Sequence, residues 1–160
     1  MRLGITMGDA SGVGPEILLR AYQNGELSSD VFAYGDAAIL KAGADILSLD
    51  VALNVIDQPS ALAPGFLNVI DLGHLAATDL VPGKVDLKAG AAARAYVLRA
   101  TTDALAGKID AMITLPMNKE ATRLSDPNFC GHTELIALSL IHISEPTRRT
   151  PISYAVFCLK

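Results

Sequence analysis

Residues 3–16 read Leu-Gly-Ile-Thr-Met-Gly-Asp-Ala-Ser-Gly-Val-Gly-Pro-Glu. The apolar run from Leu3 to Met7 predicts a strand. Pro15 predicts the start of a helix, because proline suits the first helical position. The three glycines between strand and helix allow a tight turn and the close approach of a ligand to the backbone. A strand, a glycine turn and a helix in this order indicate the first unit of an α/β sheet.

The rest of the chain continues this alternation of short β-prone runs and Ala/Leu-rich segments, which predicts a parallel sheet covered by helices. The chain has 160 residues, enough for one ordinary domain. Residues 73–88 are harder to place and indicate a loop with a short strand. Further strands are predicted at 31–34, 51–56, 66–72 and 111–115, and helices at 15–24, 37–47 (after the capping candidate Asp36) and 89–106.

Composition and charge exclude several classes of protein. The chain is 51% hydrophobic and 19% charged, which excludes a disordered chain. Its formal charge of −4 gives no reason to expect nucleic acid or an anionic membrane as a partner. No apolar stretch approaches the ~20 residues of a membrane span. Cys130 and Cys158 form no disulfide framework or zinc motif, so we expect reduced thiols in a cytoplasmic protein.

The glycine turn fits neither of two familiar phosphate-binding loops. No Gly-Lys-Ser/Thr sequence follows it, so it is not a Walker A loop. Ile17 stands at the place of the third glycine, which makes the turn a poor dinucleotide fingerprint. The same residues fit a strand-to-helix turn without a ligand equally well.

Two later segments also carry polar side chains at predicted helix starts. Residues 114–121 follow a buried strand, and ligands of α/β sheets gather at the carboxyl ends of strands. There Lys119 offers a cation for a phosphate or carboxylate, and Asn118 offers a donor and an acceptor. A helix start capped by Asn118 with a solvated Lys119 is the alternative. The third segment, Gly131-His132-Thr133-Glu134, offers an imidazole and a hydroxyl, although a lone histidine is often structural. His74 is interpreted as structural.

Together, in this order and spacing, the segments resemble the PdxA family, the 4-hydroxythreonine-4-phosphate dehydrogenases of pyridoxal phosphate biosynthesis. The resemblance covers residues 1–138, the amino-terminal portion of the family's usual chain. It implies a truncated three-layer α/β/α fold like that of isocitrate and isopropylmalate dehydrogenases. The matching stretches are 5–16, 83–85, 113–121 and 129–134.

The resemblance also implies an activity. It is the oxidation, with decarboxylation, of 4-phosphooxy-L-threonine by NAD or NADP, at sites in a homodimer interface that use a divalent metal (Zn, Mg or Co) held by histidines. His132 and Thr133 match the family's substrate-contacting pair, and Lys119 and Asp9 are added as substrate-binding candidates from position and charge. Catalytic and cofactor-binding residues are left unassigned. Ala10 and Ser11 stand where the family commonly has Pro-Ala, and Leu115 where it often has Gly or Ala.

Residues 139–160 differ in amino-acid composition from the rest of the chain. They carry three basic residues and one acidic residue, and the Ala/Gly/Asp/Leu pattern stops. We interpret them as a discordant, non-native tail on an amino-terminal domain of residues 1–138, of the kind that translated sequencing adapters leave on truncated reading frames. The family's metal-binding histidines lie beyond the resemblance and His142 matches none of them. We therefore expect no metal ligands in this chain and no activity of the chain alone.

Other functions fit the same motifs. One is a paralogous dehydrogenase for 4-phosphothreonate or a cyclic dihydrodiol. Another is an acyltransferase of the phosphotransacetylase kind, which shares the fold. The third is a non-catalytic fragment that pairs with a full-length partner.

Overall fold

The computed structural model describes residues 1–139 and 156–158. Within them, six strands form one sheet in the order β3-β4-β2-β1-β5-β6. The strands are β1 Leu3–Thr6, β2 Val31–Gly35, β3 Leu53–Val55, β4 Leu67–Asp71, β5 Ala111–Thr114 and β6 Val156–Cys158. The helices are α1 Gly14–Gln23, α2 Ala37–Leu47, α3 Leu87–Leu105, α4 Lys119–Ser125 and α5 His132–Ser139, with a short 3-10 helix at Ala77–Asp79.

Strand β1 lies at the centre of the parallel part of the sheet. Its two neighbours are β2 and β5, and Thr6 stands opposite both Tyr34 and Thr114. The pairs β2–β4 and β3–β4 are also parallel, whereas β6 is antiparallel to β5. The predicted parallel sheet is therefore confirmed for β1 to β5.

The connections place helices on both faces of the sheet. Helices α1 and α2 lead away from β1 in one direction, and α3 carries the chain back to β5 on the other side of β1. Because such crossovers are right-handed, this reversal puts α3 on the opposite face from α1 and α2. Accordingly, α1 packs on α2, and α3 packs on α4 and α5. The predicted three-layer architecture is confirmed.

A close crossing fixes α4 against α3. A side chain at Gly90 would place its Cβ 2.3 Å from the backbone carbon and oxygen of Ala121. No side chain fits at that distance, so glycine at position 90 lets the two backbones touch. The crossing sets where α4 begins, and therefore where Asn118 and Lys119 lie.

A buried carboxylate joins α3 to the sheet. Asp103 accepts hydrogen bonds from the Tyr34 hydroxyl, Arg99 Nε and Lys108 Nζ, each at 3.0 Å. Burial raises the pKa of Asp103, but the bonds from Lys108, Arg99 and Tyr34 outweigh it and hold that pKa below its ordinary value. Burial and the neighbouring Asp103 raise the pKa of Tyr34, which stays a neutral donor.

Most predicted boundaries agree with the structure to within two residues. In the region that was hard to place, α3 starts at Leu87, because Asp86 accepts from the backbone N–H groups of Lys88 and Ala89. The predicted strand 51–56 is shorter, Leu53–Val55.

Asp36 precedes α2 as predicted, but the expected cap by its side chain is wrong. The carboxylate of Asp36 instead accepts from the Tyr96 hydroxyl at 2.5 Å and the His74 backbone N–H at 2.9 Å. It therefore ties α3 and the loop after β4 to the end of β2.

The predicted tail is described only in part. Of residues 139–160, the structure describes Ser139, the last residue of α5, and Val156–Cys158, which pair with β5. Residues 140–155, 159 and 160 lie outside the described residues, His142 among them, so the interpretation of the tail stays a prediction. Among the described helices, none has the length and apolar character needed to cross a bilayer.

Candidate active site

The three segments singled out from the sequence lie at the carboxyl edge of the sheet. The first follows β1, the second follows β5, and the third begins α5. Strands β1 and β5 are neighbours, but the chain leaves β1 for α1 on one face and β5 for α4 on the other. Ligands of open α/β sheets bind in the crevice that such a switch of direction creates.

The glycine turn contacts the segment after β5 through its backbone. The N–H of Asp9 donates to the carbonyl of Pro116 at 3.0 Å. Gly8 has a φ of +75°, and a Cβ there would lie 2.4 Å from the same carbonyl oxygen. Both the left-handed conformation and the close approach therefore require glycine.

The carboxylate of Asp9 strengthens this junction. Asp9 is only 2% exposed, and it accepts hydrogen bonds from the backbone N–H of Ser11, at 2.8 Å, and of Asn118. Burial raises the pKa of Asp9 more than these two bonds lower it, and the charge of Asp86 raises it further. The structure thus shows Asp9 binding two turns together; its contact with a substrate stays a prediction.

Packing within the chain requires glycine at position 14 but leaves room for a Cβ at position 12. A Cβ on Gly14 would lie 2.1 Å from the carbonyl oxygen of Met7, and one on Gly12 would touch the Asp9 carbonyl at 3.4 Å. The turn is therefore narrow because its own backbone closes on itself. We assign no nucleotide to it.

Asn118 caps α4, as one sequence interpretation expected. Its side-chain oxygen accepts from the N–H groups of Glu120, at 2.9 Å, and Ala121, at 3.2 Å. The next residue, Lys119, is exposed, and its Nζ lies 3.9 Å from the position that a Cβ on Gly131 would take. The ammonium group therefore reaches from the second segment to the third.

His132 begins α5 and is half-buried. Its imidazole has a hydrogen bond to the backbone of Leu115, whereas its Nε2 atom is buried and has no hydrogen-bond partner among the described residues. Burial lowers the pKa of His132, and the charge of Lys119 lowers it further, while the bond to Leu115 opposes both. The ring is therefore kept neutral close to neutral pH.

Residues 115–119 thus connect the glycine turn on one side with His132 on the other. Thr133, the second predicted member of the substrate-contacting pair, is exposed in the first turn of α5. His74 is exposed, with its ring 6.4 Å from that of Tyr96, and is not part of this group.

Sequence reasoning missed two features of the site. One is the effect of the Leu115 backbone on the pKa of His132, which no side-chain pattern reveals because a backbone group causes it. The other is a pair of buried hydroxyls, Thr6 Oγ1 and Ser11 Oγ, which have no hydrogen-bond partner among the described residues. Their positions at the end of a strand and inside a glycine turn were the available signal.

An apolar cavity of about 530 Å³ borders the third segment on the side of α3. Phe129, Cys130 and Leu135 contribute to its lining, and the ion pair between Arg94 and Asp126 stands at its wall. The exposed Cys130 is a free thiol.

The described residues do not provide a metal site. In residues 1–139 and 156–158, no group of three or more His, Cys, Asp and Glu side chains is arranged to hold a metal ion. We therefore derive no step through a metal from these residues.

The model of the family described as pyridoxal phosphate biosynthetic protein PdxA matches residues 27–145. The chain belongs to this family. A curated PdxA relative, D-threonate 4-phosphate dehydrogenase of Pectobacterium atrosepticum, is 37% identical over 142 residues, which cover 84% of this chain and 43% of the relative. The chain thus spans about two fifths of the length of the curated relatives it matches. The resemblance inferred from the motifs is confirmed.

Solved dehydrogenase structures share this fold. The crystal structure of 4-hydroxythreonine-4-phosphate dehydrogenase from Klebsiella pneumoniae superposes with a TM-score of 0.80 at 38% identity, over 86% of this chain and 43% of that chain. Terephthalate 1,2-cis-dihydrodiol dehydrogenase from Burkholderia xenovorans LB400 gives a TM-score of 0.62 at 30% identity, over 77% and 36%. These relatives are named dehydrogenases, but their names differ in substrate.

Proposed function

We propose that residues 1–138 are the amino-terminal portion of a PdxA-family dehydrogenase that oxidises the secondary alcohol of a phosphorylated hydroxy acid. The observation that carries the proposal is the Nε2 atom of His132, which is buried close to the switch point of the sheet and has no hydrogen-bond partner among the described residues. The charge of Lys119 also lowers the pKa of this ring. An unpaired buried nitrogen is costly unless a ligand or water meets it. Family membership supports the reaction class.

Different residues of this chain would bind different groups of the substrate. Lys119 supplies a positive charge for an anionic group of the substrate, and the first N–H groups of α5 add donors that the helix itself does not use. His132 binds a polar group of the substrate in a place that is partly shielded from water. NAD or NADP, once bound, accepts the hydride from the alcohol carbon.

The substrate we propose is a threonine-like hydroxy acid phosphorylated at position 4, with 4-phosphooxy-L-threonine of pyridoxal phosphate synthesis as the first candidate. A second candidate, D-threonate 4-phosphate, is favoured by the name of the Pectobacterium relative. From the family resemblance we also propose a homodimeric cytoplasmic enzyme, with a divalent metal held by residues beyond the region of resemblance.

A chimeric enzyme tests this proposal. Residues 1–138 replace the corresponding part of the Pectobacterium dehydrogenase, and NADH or NADPH formation is followed with each phosphorylated candidate. We expect reduction of the coenzyme with at least one of them. A folded chimera that reduces no coenzyme with either, while the parent enzyme is active, would contradict the proposal.

A further inference from the structure

We propose that the face of α3 that points away from the sheet is a docking surface for a helix from the carboxyl-terminal portion of the full-length dehydrogenase, on the same chain. The identity of this occupant rests on the proposed function, in which residues 1–138 are the amino-terminal portion of a longer enzyme. The surface itself is defined by the packing and the sequence of α3.

Helix α3 has apolar residues on two opposite faces. One face packs on the sheet, and three of its residues, Tyr96, Val97 and Ala100, are fully buried. The other face has a 4-3-4-3 spacing, which is typical of a helix that packs along a second helix. At about 100° per residue, the centres of the two faces lie on opposite sides of α3. We call the second face the α3 seam, and it consists of Ala91, Ala95, Leu98, Thr102 and Leu105.

The described residues leave the α3 seam open. Leu105 is 48% exposed, Thr102 is exposed, and Leu98 is only partly buried. Leu98 also lines the apolar cavity of about 530 Å³, together with Phe129 and Leu135. A helix that is apolar on two opposite faces normally has neighbours on both. The open seam beside an apolar cavity therefore indicates a second packing partner.

The side chains of the α3 seam fit another helix. Ala91 and Ala95 are small, so they allow the close approach of a second helix, and Leu98 and Leu105 offer apolar side chains to pack between its residues. The Thr102 hydroxyl donates to the carbonyl of Leu98 at 2.9 Å, so it needs no partner across the seam.

The charges next to the α3 seam favour an apolar partner over a charged one. Arg94 Nε donates to Asp126, and Arg99 Nε donates to Asp103, each at 3.0 Å. Both arginines are thus paired within this chain, and the partner helix need not supply a carboxylate for them.

The length of the relatives supplies the occupant. This chain covers only 43% of the Pectobacterium dehydrogenase. Under the proposed function the enzyme continues beyond α5, whose residues Leu135 and Ala137 line the cavity next to the seam. From Ala91 to Leu105 the seam is about 21 Å long, at about 1.5 Å per residue, so a helix of about four turns covers it.

The reactivity of a cysteine placed on the seam tests the inference. Thr102→Cys is made in the 160-residue chain and in the chimera with the Pectobacterium dehydrogenase, and alkylation is followed by mass spectrometry of the peptide that contains residue 102. We expect alkylation to be at least about tenfold slower in the chimera, because a docked helix shields the thiol. Lys41→Cys, at an exposed residue of α2, is the control and is expected to react equally fast in both proteins.

Three results of this experiment would overturn the inference. One is equal alkylation of residue 102 in the two proteins. Another is alkylation of residue 102 that is already tenfold slower than that of residue 41 in the 160-residue chain. The third is protection that disappears on dilution of the chimera, which would assign the seam to a second copy of the chain.

Urea unfolding of the 160-residue chain gives a second test that does not need the chimera. Leu105→Gln is expected to leave the midpoint unchanged, as is Ile46→Gln at an exposed apolar residue near the end of α2. A lower midpoint for Leu105→Gln alone would show that the seam is already packed within this chain and would contradict the inference.

The two proposals can fail separately. A folded chimera that reduces no coenzyme but protects residue 102 would count against the proposed function and support the docked helix. An active chimera in which residue 102 reacts freely would do the reverse.

Discussion

The imidazole of His132 owes its properties to a backbone group and a cation from the same neighbouring segment. The backbone of Leu115 raises the pKa of this ring, whereas burial and the charge of Lys119 lower it. Asp9 joins the glycine turn to that segment through the N–H of Asn118. The site is therefore built around positions 115–119, although His132 is the residue whose buried Nε2 has no hydrogen-bond partner in the part of the chain that the structure describes.

Replacing His132 by alanine removes the ring whose buried Nε2 has no partner among the described residues. In the chimeric dehydrogenase we expect kcat/KM for the phosphorylated substrate to fall at least about tenfold, which corresponds to ~1.4 kcal/mol of transition-state stabilisation. His74→Ala, at an exposed histidine outside the site, is expected to leave kcat/KM unchanged. Equal kcat/KM for His132→Ala and the parent would remove His132 from the site.

Gly8→Ala tests the junction between the first two segments. Gly8 and Gly107 have similar left-handed φ values, +75° and +68°, but only Gly8 has a backbone oxygen where its Cβ would lie. We expect Gly107→Ala to cost about 1–2 kcal/mol of unfolding free energy from conformation alone. Gly8→Ala is expected to cost at least about 1 kcal/mol more, because the Pro116 carbonyl must move. Urea unfolding measures both, and equal losses would refute the close contact.

Helix α3 packs against α4 and α5, the two helices that begin with site residues. Gly90 in its first half contacts the backbone of α4, and Asp103 near its end ties it to β2 through Tyr34. The position of α4 then determines where Asn118 and Lys119 meet the glycine turn and His132. The hydrogen bonds of Asp103 therefore stabilise the packing of α3 against β2.

The depressed pKa of Asp103 makes this connection sensitive to acid. A carboxyl whose pKa is lower in the folded chain adds stability above its ordinary value of 3.8 and loses it as the pH falls below that value. We expect Asp103→Asn to destabilise the chain at pH 7 and the difference from wild type to shrink at lower pH. Asp50→Asn, at an exposed carboxylate, is the control. A difference independent of pH, measured by urea unfolding at several pH values, would contradict this.

At the scale of the whole molecule, local signals predicted the elements and long-range contacts escaped prediction. Pro15, the apolar strand at 111–115 and the cap at Asn118 carry their information within a few residues, and the structure confirms them. The partner of Asp36 is Tyr96, 60 residues away, and the pKa of His132 is influenced by the backbone of Leu115 and the charge of Lys119. Neither interaction can be read from the spacing of residues in the sequence, because the fold of the sheet brings these distant residues together.

The extent of the chain also predicts its behaviour in isolation. It spans about two fifths of the length of its curated relatives, and within 1–139 and 156–158 no cluster of ligands for a metal is present. We expect the purified 160-residue chain to form no NADH from NAD and 4-phosphooxy-L-threonine, with or without Zn, Mg or Co. Metal-dependent coenzyme reduction by this chain, followed by absorbance, would be the contrary result.

The central claim is that three separate segments form one binding site at the carboxyl edge of the sheet. Amide chemical-shift mapping of the labelled chain with D-threonate 4-phosphate tests it most directly. The account predicts shifts in residues 8–12, 115–120 and 131–134. Shifts confined to the opposite edge, around residues 24–31 and 63–68, or no shifts at millimolar ligand, would contradict it.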